Sequence, residues 1–381
     1  MMHVITGEYP PDRGGVADYT AEVSAALSRA GEAVHVWCPG TAAVESVERG
    51  VSVHRALGTL SADDLRRAGA LLDRYPAPRR LLVQWVPHAF GRRSLNVAFC
   101  RWISARAAAG DRVEVMVHEP FLPFTLRPRG IAAAAVHRVM TAILLRAAEH
   151  VWVATPAWER MWRPYALGRS VPFSVLPEPA SVPVDRGAHS AASARRAQLL
   201  DGAHALVGIF SMHSPFATAT LGAVLPQVLA AAPDIRVVLI GGGSELLLER
   251  LMAAAPALES RVQATGRLES AALSAHLLAC DVLLQPYQDG VCARHSSAMT
   301  ALAHGVPIVT TAGRFTEPDW ASSQAVSLAR DPHGLIEAVT RLLEQPDERA
   351  LLRRRALELY AAKFDVTHTV AALLRAVPEP S

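Results

Sequence analysis

Lysine is almost missing from this chain: Lys363 stands alone among 38 basic residues, so positive charge rests on arginine, whose planar guanidinium suits anion recognition. Cysteine is scarce as well. Cys38, Cys100, Cys280 and Cys292 lie far apart in or beside apolar segments, which excludes paired zinc-type ligands and reads as buried thiols in a reducing compartment. Net charge is only +3 over 381 residues, with acids interspersed among the arginines, so a dominating basic field for nucleic acid is excluded. Uninterrupted apolar runs are also lacking. The most apolar stretch, Ile131 to Ala154, is broken by His137, Arg138, Arg146 and Glu149, which a spanning helix does not tolerate cheaply. The opening MMHVITGEYPPDRGG has no cationic flank followed by an apolar run, so a cytoplasmic protein is expected. G-x-S-x-G, H-E-x-x-H and G-x-x-x-x-G-K-[ST] do not occur, which leaves hydrolytic triads, zinc proteases and ATPases without a basis.

What is present is ample apolar material, 51% of residues, on a chain too long for one hydrophobic core. Apolar strands alternate with helical patterns, which predicts parallel sheets covered by helices. The first series is His3–Thr6, Val34–Cys38, Leu81–Trp85, Val113–Val117 and Val151–Ala154, with a helix over Val16–Ala30. A Pro-rich passage, Val175 to Pro183, precedes a second series: Val207–Phe210, Val237–Ile240, Val262–Ala264, Val282–Gln285, Ile308–Thr310 and Ala325–Leu328. The expected class is α/β, with two Rossmann-like doubly wound domains, 1–182 and 183–364, and an inter-domain cleft beyond the strands' carboxyl ends.

Candidate residues sit in loops at those strand ends. In Leu283–Thr311 a strand ends at Pro286, a Gly-bearing loop follows, and a helix begins near Ser296. Exposed amides at a helix N-terminus favour an anion such as a diphosphate, with Arg294 and His295 at the entrance and Ser296 or Ser297 as caps. A helix cap beside a surface arginine is the plainer alternative. Gly14 and Gly15 join the first strand to the first helix and let backbone approach a ligand, or form only a flexible turn. His118 and Glu119 follow a strand: His118 would touch a substrate hydroxyl and Glu119 would orient it or accept a proton, unless the histidine is merely capped locally. His88 is a weaker candidate of the same kind. Ile240–Glu245 places Gly243 in a turn that admits a phosphate or starts a helix. Thr265–Leu268 would hold a nucleobase edge, and Gly313, Arg314 and Glu317 would close the same pocket or form a solvated loop.

With these residues in view, the chain resembles retaining glycosyltransferases of the GT-B architecture, close to family 4. The resemblance rests on EYPPDRGGVADYTAEVSAALSRAG, VHEPF, GIFS, LIGGG, TGRL and ACDVLLQPYQDGVCARHSSAMTALAHGVPIVTT. It implies transfer of a hexosyl-type sugar from a nucleoside-diphosphate donor to a small-molecule, glycan or lipid-linked acceptor, without metal or other cofactor. It also implies a last helix, about 365–381, packing back onto the first domain. His118, Glu119 and Arg294 would be catalytic. Gly14, Gly15, Gly243, Gly266, Arg267, Leu268, Gly290, Val291, Cys292, His295, Ser296 and Thr300 would bind the donor. Two departures stand out. Counting back from Gly305, Thr300 and Cys292 occupy the places of the family's two glutamates, with Asp289–Gly290 similar to the first acidic-Gly pair if a gap is allowed. No Lys follows Gly208-Ile-Phe-Ser-Met-His-Ser214, so Arg294, with His295 or Arg267, would carry the diphosphate's countercharge. An epimerase or hydrolase, or a catalytically silent binding protein on the same fold, stays open. So does peripheral contact with the inner membrane face through Arg92, Arg93, Arg101 and Arg106.

Overall fold

The computed structural model describes residues 1–375 except 13, 41–43, 92–93, 126, 186, 213 and 259. It divides into two compact units, Met1–Pro177 with Val366 onward, and Glu178–Asp365. The boundary therefore falls inside the Pro-rich passage, a few residues before the expected one.

Unit 1 runs β1 (Met2–Thr6), α1 (Gly15–Arg29), β2 (Val34–Trp37), β3 (Val44–Glu48), β4 (Val51–Arg55), α2 (Ala62–Leu72), β5 (Arg80–Trp85), α3 (Val97–Ala108), β6 (Arg112–Val117), α4 (Pro128–Ala147), β7 (His150–Val153), α5 (Pro156–Trp162) and β8 (Phe173–Val175). The eight strands form one sheet in the order β3-β4-β2-β1-β5-β6-β7-β8. Among the described residues only β3 and β4 pair antiparallel, through a hairpin turn in which Arg49 (φ 53°) and Gly50 (φ 83°) are left-handed, as a type I′ connection requires. The central strands β1, β5 and β6 carry Val, Leu and Met buried on both faces, the composition of a parallel sheet covered by helices. Arg79 and Arg106 converge on Asp111 at 2.7 and 2.6 Å, locking the start of β6 to α3 in a buried cluster. Arg106 therefore does not belong to a surface patch. Arg92 and Arg93 lie outside the described residues, and Arg101 is exposed on α3.

Unit 2 runs α6 (Ala188–Leu200), β9 (Ala205–Phe210), α7 (Pro215–Ala231), β10 (Ile235–Ile240), α8 (Ser244–Ala254), β11 (Val262–Ala264), α9 (Ser270–Ala279), β12 (Val282–Gln285), α10 (Ser296–Ala303), β13 (Ile308–Thr311), α11 (Pro318–Ser322), β14 (Ser327–Ala329), α12 (Pro332–Glu344) and α13 (Pro346–Leu359). Its six strands are ordered β11-β10-β9-β12-β13-β14. That is the doubly wound arrangement, with the strand order reversing between β9 and β12. After a π-helical turn at Tyr360–Phe364 the chain returns to unit 1, where α14 (Val366–Leu374) packs on α1.

Candidate functional site

In a doubly wound sheet the strands on either side of the switch point send their connections to opposite faces, which opens a crevice at their carboxyl ends. In unit 2 this places the loops after β9 and β12 together. Gln285, the last residue of β12, is fully buried and donates from Nε2 to Phe210 O at the end of β9 (3.3 Å), while its Oε1 has no hydrogen-bond partner.

The loop from Pro286 to His295 is held from several directions. Thr311 Oγ1 accepts from Tyr287 N (2.8 Å), and Val291 N donates to Thr311 O (2.9 Å), which ties the loop to β13. The Tyr287 ring stacks on His295 at 3.8 Å, and its hydroxyl meets Ser297 Oγ at 2.9 Å. Glu317 receives Ala293 N–H on both carboxylate oxygens, each at 3.2 Å, and the Trp320 indole N–H at 2.9 Å. The segment that enters unit 2 lies alongside, with Glu178 N donating to Ala293 O (2.9 Å).

This framing separates residues that face outward from residues that do not. Arg294, His295, Ser296 and Ser297 are half-buried at the start of α10. Neither serine caps the helix: His295 is the N-cap residue and its side chain makes no cap hydrogen bond, while its carbonyl already accepts Ala298 N–H at 2.9 Å, so the amides left to a ligand are those of Ser296 and Ser297. His295 Nδ1 accepts Cys292 N–H at 3.1 Å, which assigns the ring proton to Nε2. Burial, reinforced by Arg294, holds the His295 pKa well below its usual range, so it offers a neutral N–H rather than the charge expected of it.

Four expected donor contacts are turned inward instead. Val291, Cys292 and Thr300 are fully buried, and burial pushes the Cys292 thiol up to about 12, so it is a neutral packing group. Thr300 Oγ1 donates to Ser296 O (2.8 Å), accepts from Ser181 N (3.1 Å) and meets Ser181 Oγ (3.2 Å). Its hydroxyl is engaged by bonds within the protein. Gly290 has φ +83°, and a Cβ there would strike the Gly313 amide nitrogen and the Thr316 hydroxyl. Its conformation lets the Asp289–Gly290 and Gly313–Thr316 loops pack closely.

The loops after β10 and β11 are sewn to each other. Gly241 N donates to Thr265 Oγ1 (3.1 Å), and Gly266 N donates to Ser244 Oγ (2.9 Å). Gly243 and Gly266 both take positive φ, and a Cβ on Gly266 would meet the Glu245 carboxylate at 2.8 Å. Arg267 is exposed, and Leu268 packs partly against the core.

Unit 1 has its own switch point, between β1 and β5. His118, just after β6, is buried, with Nε2 2.8 Å from Gln84 Oε1 and its ring edge-on to Tyr19 at 4.6 Å. Gln84 thus helps to orient His118. Glu119 pairs with His88 (Nδ1–Oε2 3.4 Å), and this bond raises the His88 pKa. Gly14 is extended rather than left-handed, and a Cβ there would land on the Glu8 carboxylate. Glu8 Oε1 accepts Ala17 N–H at 3.2 Å, so an acid already occupies part of the anion-binding end of α1. Gly15 faces open space. Glu8, Gln84, Gln285 and Tyr287 were missed by reading the sequence; each acts through a partner at least eight positions away, and no local spacing signals it.

Residues 209–345 match the family model described as Glycosyl transferases group 1. The described fold is GT-B. It is similar over 98% of this chain to a sucrose-phosphate synthase from Thermosynechococcus elongatus, covering 97% of that chain, with TM-score 0.74 and 16% identity. An α,α-trehalose-phosphate synthase (UDP-forming) from Burkholderia vietnamiensis is similar at TM-score 0.70 and 14% identity, with 100% and 99% of the two chains covered. Anabaena HepE in complex with UDP and glucose follows at TM-score 0.69 and 16% identity, with 99% and 100% covered. No curated protein sequence matches.

Proposed function

We propose that this protein is a retaining, family-4-like glycosyltransferase that moves a hexosyl-type sugar from a nucleoside-diphosphate donor to an acceptor hydroxyl, with no metal. The observation that carries this reading is the start of α10, where uncapped amides, Arg294 and the neutral Nε2–H of His295 lie together at the β9–β12 switch point. The group 1 match over this same segment supports it, as do the folds shared with sugar-nucleotide enzymes.

In this reading unit 2 holds the donor. Negative charge develops on the diphosphate as the anomeric carbon–oxygen bond breaks, and Arg294 with the α10 amides stabilises it. His295 adds a hydrogen bond without competing charge. The loop at Gly266–Leu268, braced by Ser244, lines the nucleobase side, with Gly243 at the neighbouring turn. Glu317 braces the loop before α10 by accepting the Ala293 amide. Unit 1 receives the acceptor, which is a small molecule, a glycan or a lipid-linked sugar. His118, held by Gln84, contacts sugar; Glu119, paired with His88, takes up the acceptor proton; Gly14 and Gly15 keep the β1–α1 loop free of bulk.

A panel of nucleotide sugars incubated with candidate acceptors, with products followed by NMR, tests the proposal. A glycoside with the donor's anomeric configuration, formed equally well in chelator, is expected. Free sugar alone would move the assignment to a hydrolase, an altered sugar nucleotide would move it to an epimerase, and no reaction or binding at all would favour a silent protein.

A further inference from the structure

The geometry points to a lipid surface as a docking partner of unit 1, held by the loop before α4 and the outer face of that helix. From Pro120 to Ala148 the sequence has no Asp or Glu, but it has Arg127, Arg129, Arg138 and Arg146. Large apolar side chains in the same stretch point to solvent: Leu122, Phe124, Ile131 and Val139 are 42%, 57%, 48% and 53% exposed. Ile131, Ala135 and Val139 recur at helical spacing along α4, with Arg127 and Arg129 exposed at its start and Arg146 exposed at its end. An apolar stripe with cationic ends and no acid complements an anionic bilayer, where the apolar groups enter the acyl boundary and the arginines remain with the headgroups.

The patch is built to stay in place. Arg138 stacks on Phe121 and Phe124, 4.3 and 3.9 Å from their centroids, and donates to Leu122 O (3.2 Å) and Tyr165 Oη (3.0 Å). His137 Nδ1 accepts Leu122 N–H at 3.2 Å, while Nε2 lies 2.7 Å from Ser94 O. These bonds pin the loop and hold Phe124 outward. α4 is long and apolar enough to cross a membrane by length and composition, yet His137, Met140, Thr141, Leu144 and Leu145 are buried within the protein. The helix therefore lies on a bilayer rather than across it.

The test is flotation of the full chain with vesicles of phosphatidylcholine alone and of phosphatidylcholine mixed with phosphatidylglycerol. Binding to the mixed vesicles is expected, weakened by salt and far weaker on the neutral ones. Arg127→Gln and Arg129→Gln should each lower the partition coefficient about fivefold, and Phe124→Ser combined with Val139→Ser should remove it. All four are surface positions, so an unchanged Tm separates lost docking from lost folding. If the double variant is destabilised, the two arginine variants decide. Absence of binding to mixed vesicles, binding indifferent to these substitutions, or a concentration-dependent dimer that Phe124→Ser dissolves would overturn the proposal; the last would assign the face to a second copy.

Discussion

Thr300 is where the family's second glutamate would stand, and replacing it with valine separates a packing role from a donor-binding role. Valine preserves the branched shape inside the buried turn of α10 and removes only the hydroxyl. Three hydrogen bonds go with it: those with Ser181 N at 3.1 Å, Ser181 Oγ at 3.2 Å and Ser296 O at 2.8 Å. The Ser296 carbonyl keeps its place in the helix ladder, so that loss is small. Ser181 N–H loses its acceptor, which costs about 1–3 kcal/mol for a buried donor. Ser181 is half-buried and water can relieve part of that cost, leaving about 1–2 kcal/mol. For a unit of this size such a loss lowers Tm by roughly 2–8 °C. Differential scanning calorimetry of Thr300→Val should show that fall, and nucleoside-diphosphate affinity should stay within about twofold. An unchanged transition together with a tenfold or greater loss of affinity would show that the hydroxyl serves the ligand and that its bonds to Ser181 are incidental.

Further expectations concern the loop, the buried ions and acid. Gly290→Ala forces a side chain into the Gly313–Thr316 contact at φ +83°, so it should destabilise by roughly 2–5 kcal/mol in urea unfolding; a neutral result would mean the two loops part easily. Asp111→Asn leaves Arg79 and Arg106 without their shared carboxylate and should cost about 3–5 kcal/mol, measured the same way. His3 packs against His35, which lies 3.0 Å from His54 (Nδ1–Nε2), and burial lowers the pKa of all three, His3 to about 3. The folded state thus binds fewer protons than the unfolded state, so stability is full above about pH 6.5 and declines as pH falls toward 3, by about 2 kcal/mol at pH 5 for His3 alone. His3→Gln should flatten that decline in unfolding curves taken from pH 7 to pH 5; an unchanged slope would remove His3 from the account. Arg294→Ala should reduce kcat on the true donor on the order of a hundredfold.

Most strands of unit 2 were legible because β9, β10, β12 and β13 are short runs dominated by Val, Ile and Leu, and β9 to β13 begin and end within about two residues of their predicted places. The β3–β4 hairpin was not legible: β3, VESVE, is mostly polar without regular alternation, and its pairing depends on the left-handed turn at Arg49–Gly50. At the site, Arg294 and the start of α10 could be read from local order alone. The inward fate of Thr300 could not, because it depends on Ser181, a residue 119 positions away. Glu8, at the amide of Ala17, is similar on a smaller scale: its carboxylate reaches back over a loop whose course no spacing rule gives.

A diphosphate is expected to bind where Arg294 meets the first turn of α10. Isothermal titration of nucleoside diphosphates into the wild-type protein and into Arg294→Ala tests it most directly. One nucleotide should bind the wild type and lose at least tenfold in affinity in the variant, with the thermal transition unmoved. Equal affinity in both proteins would contradict the claim.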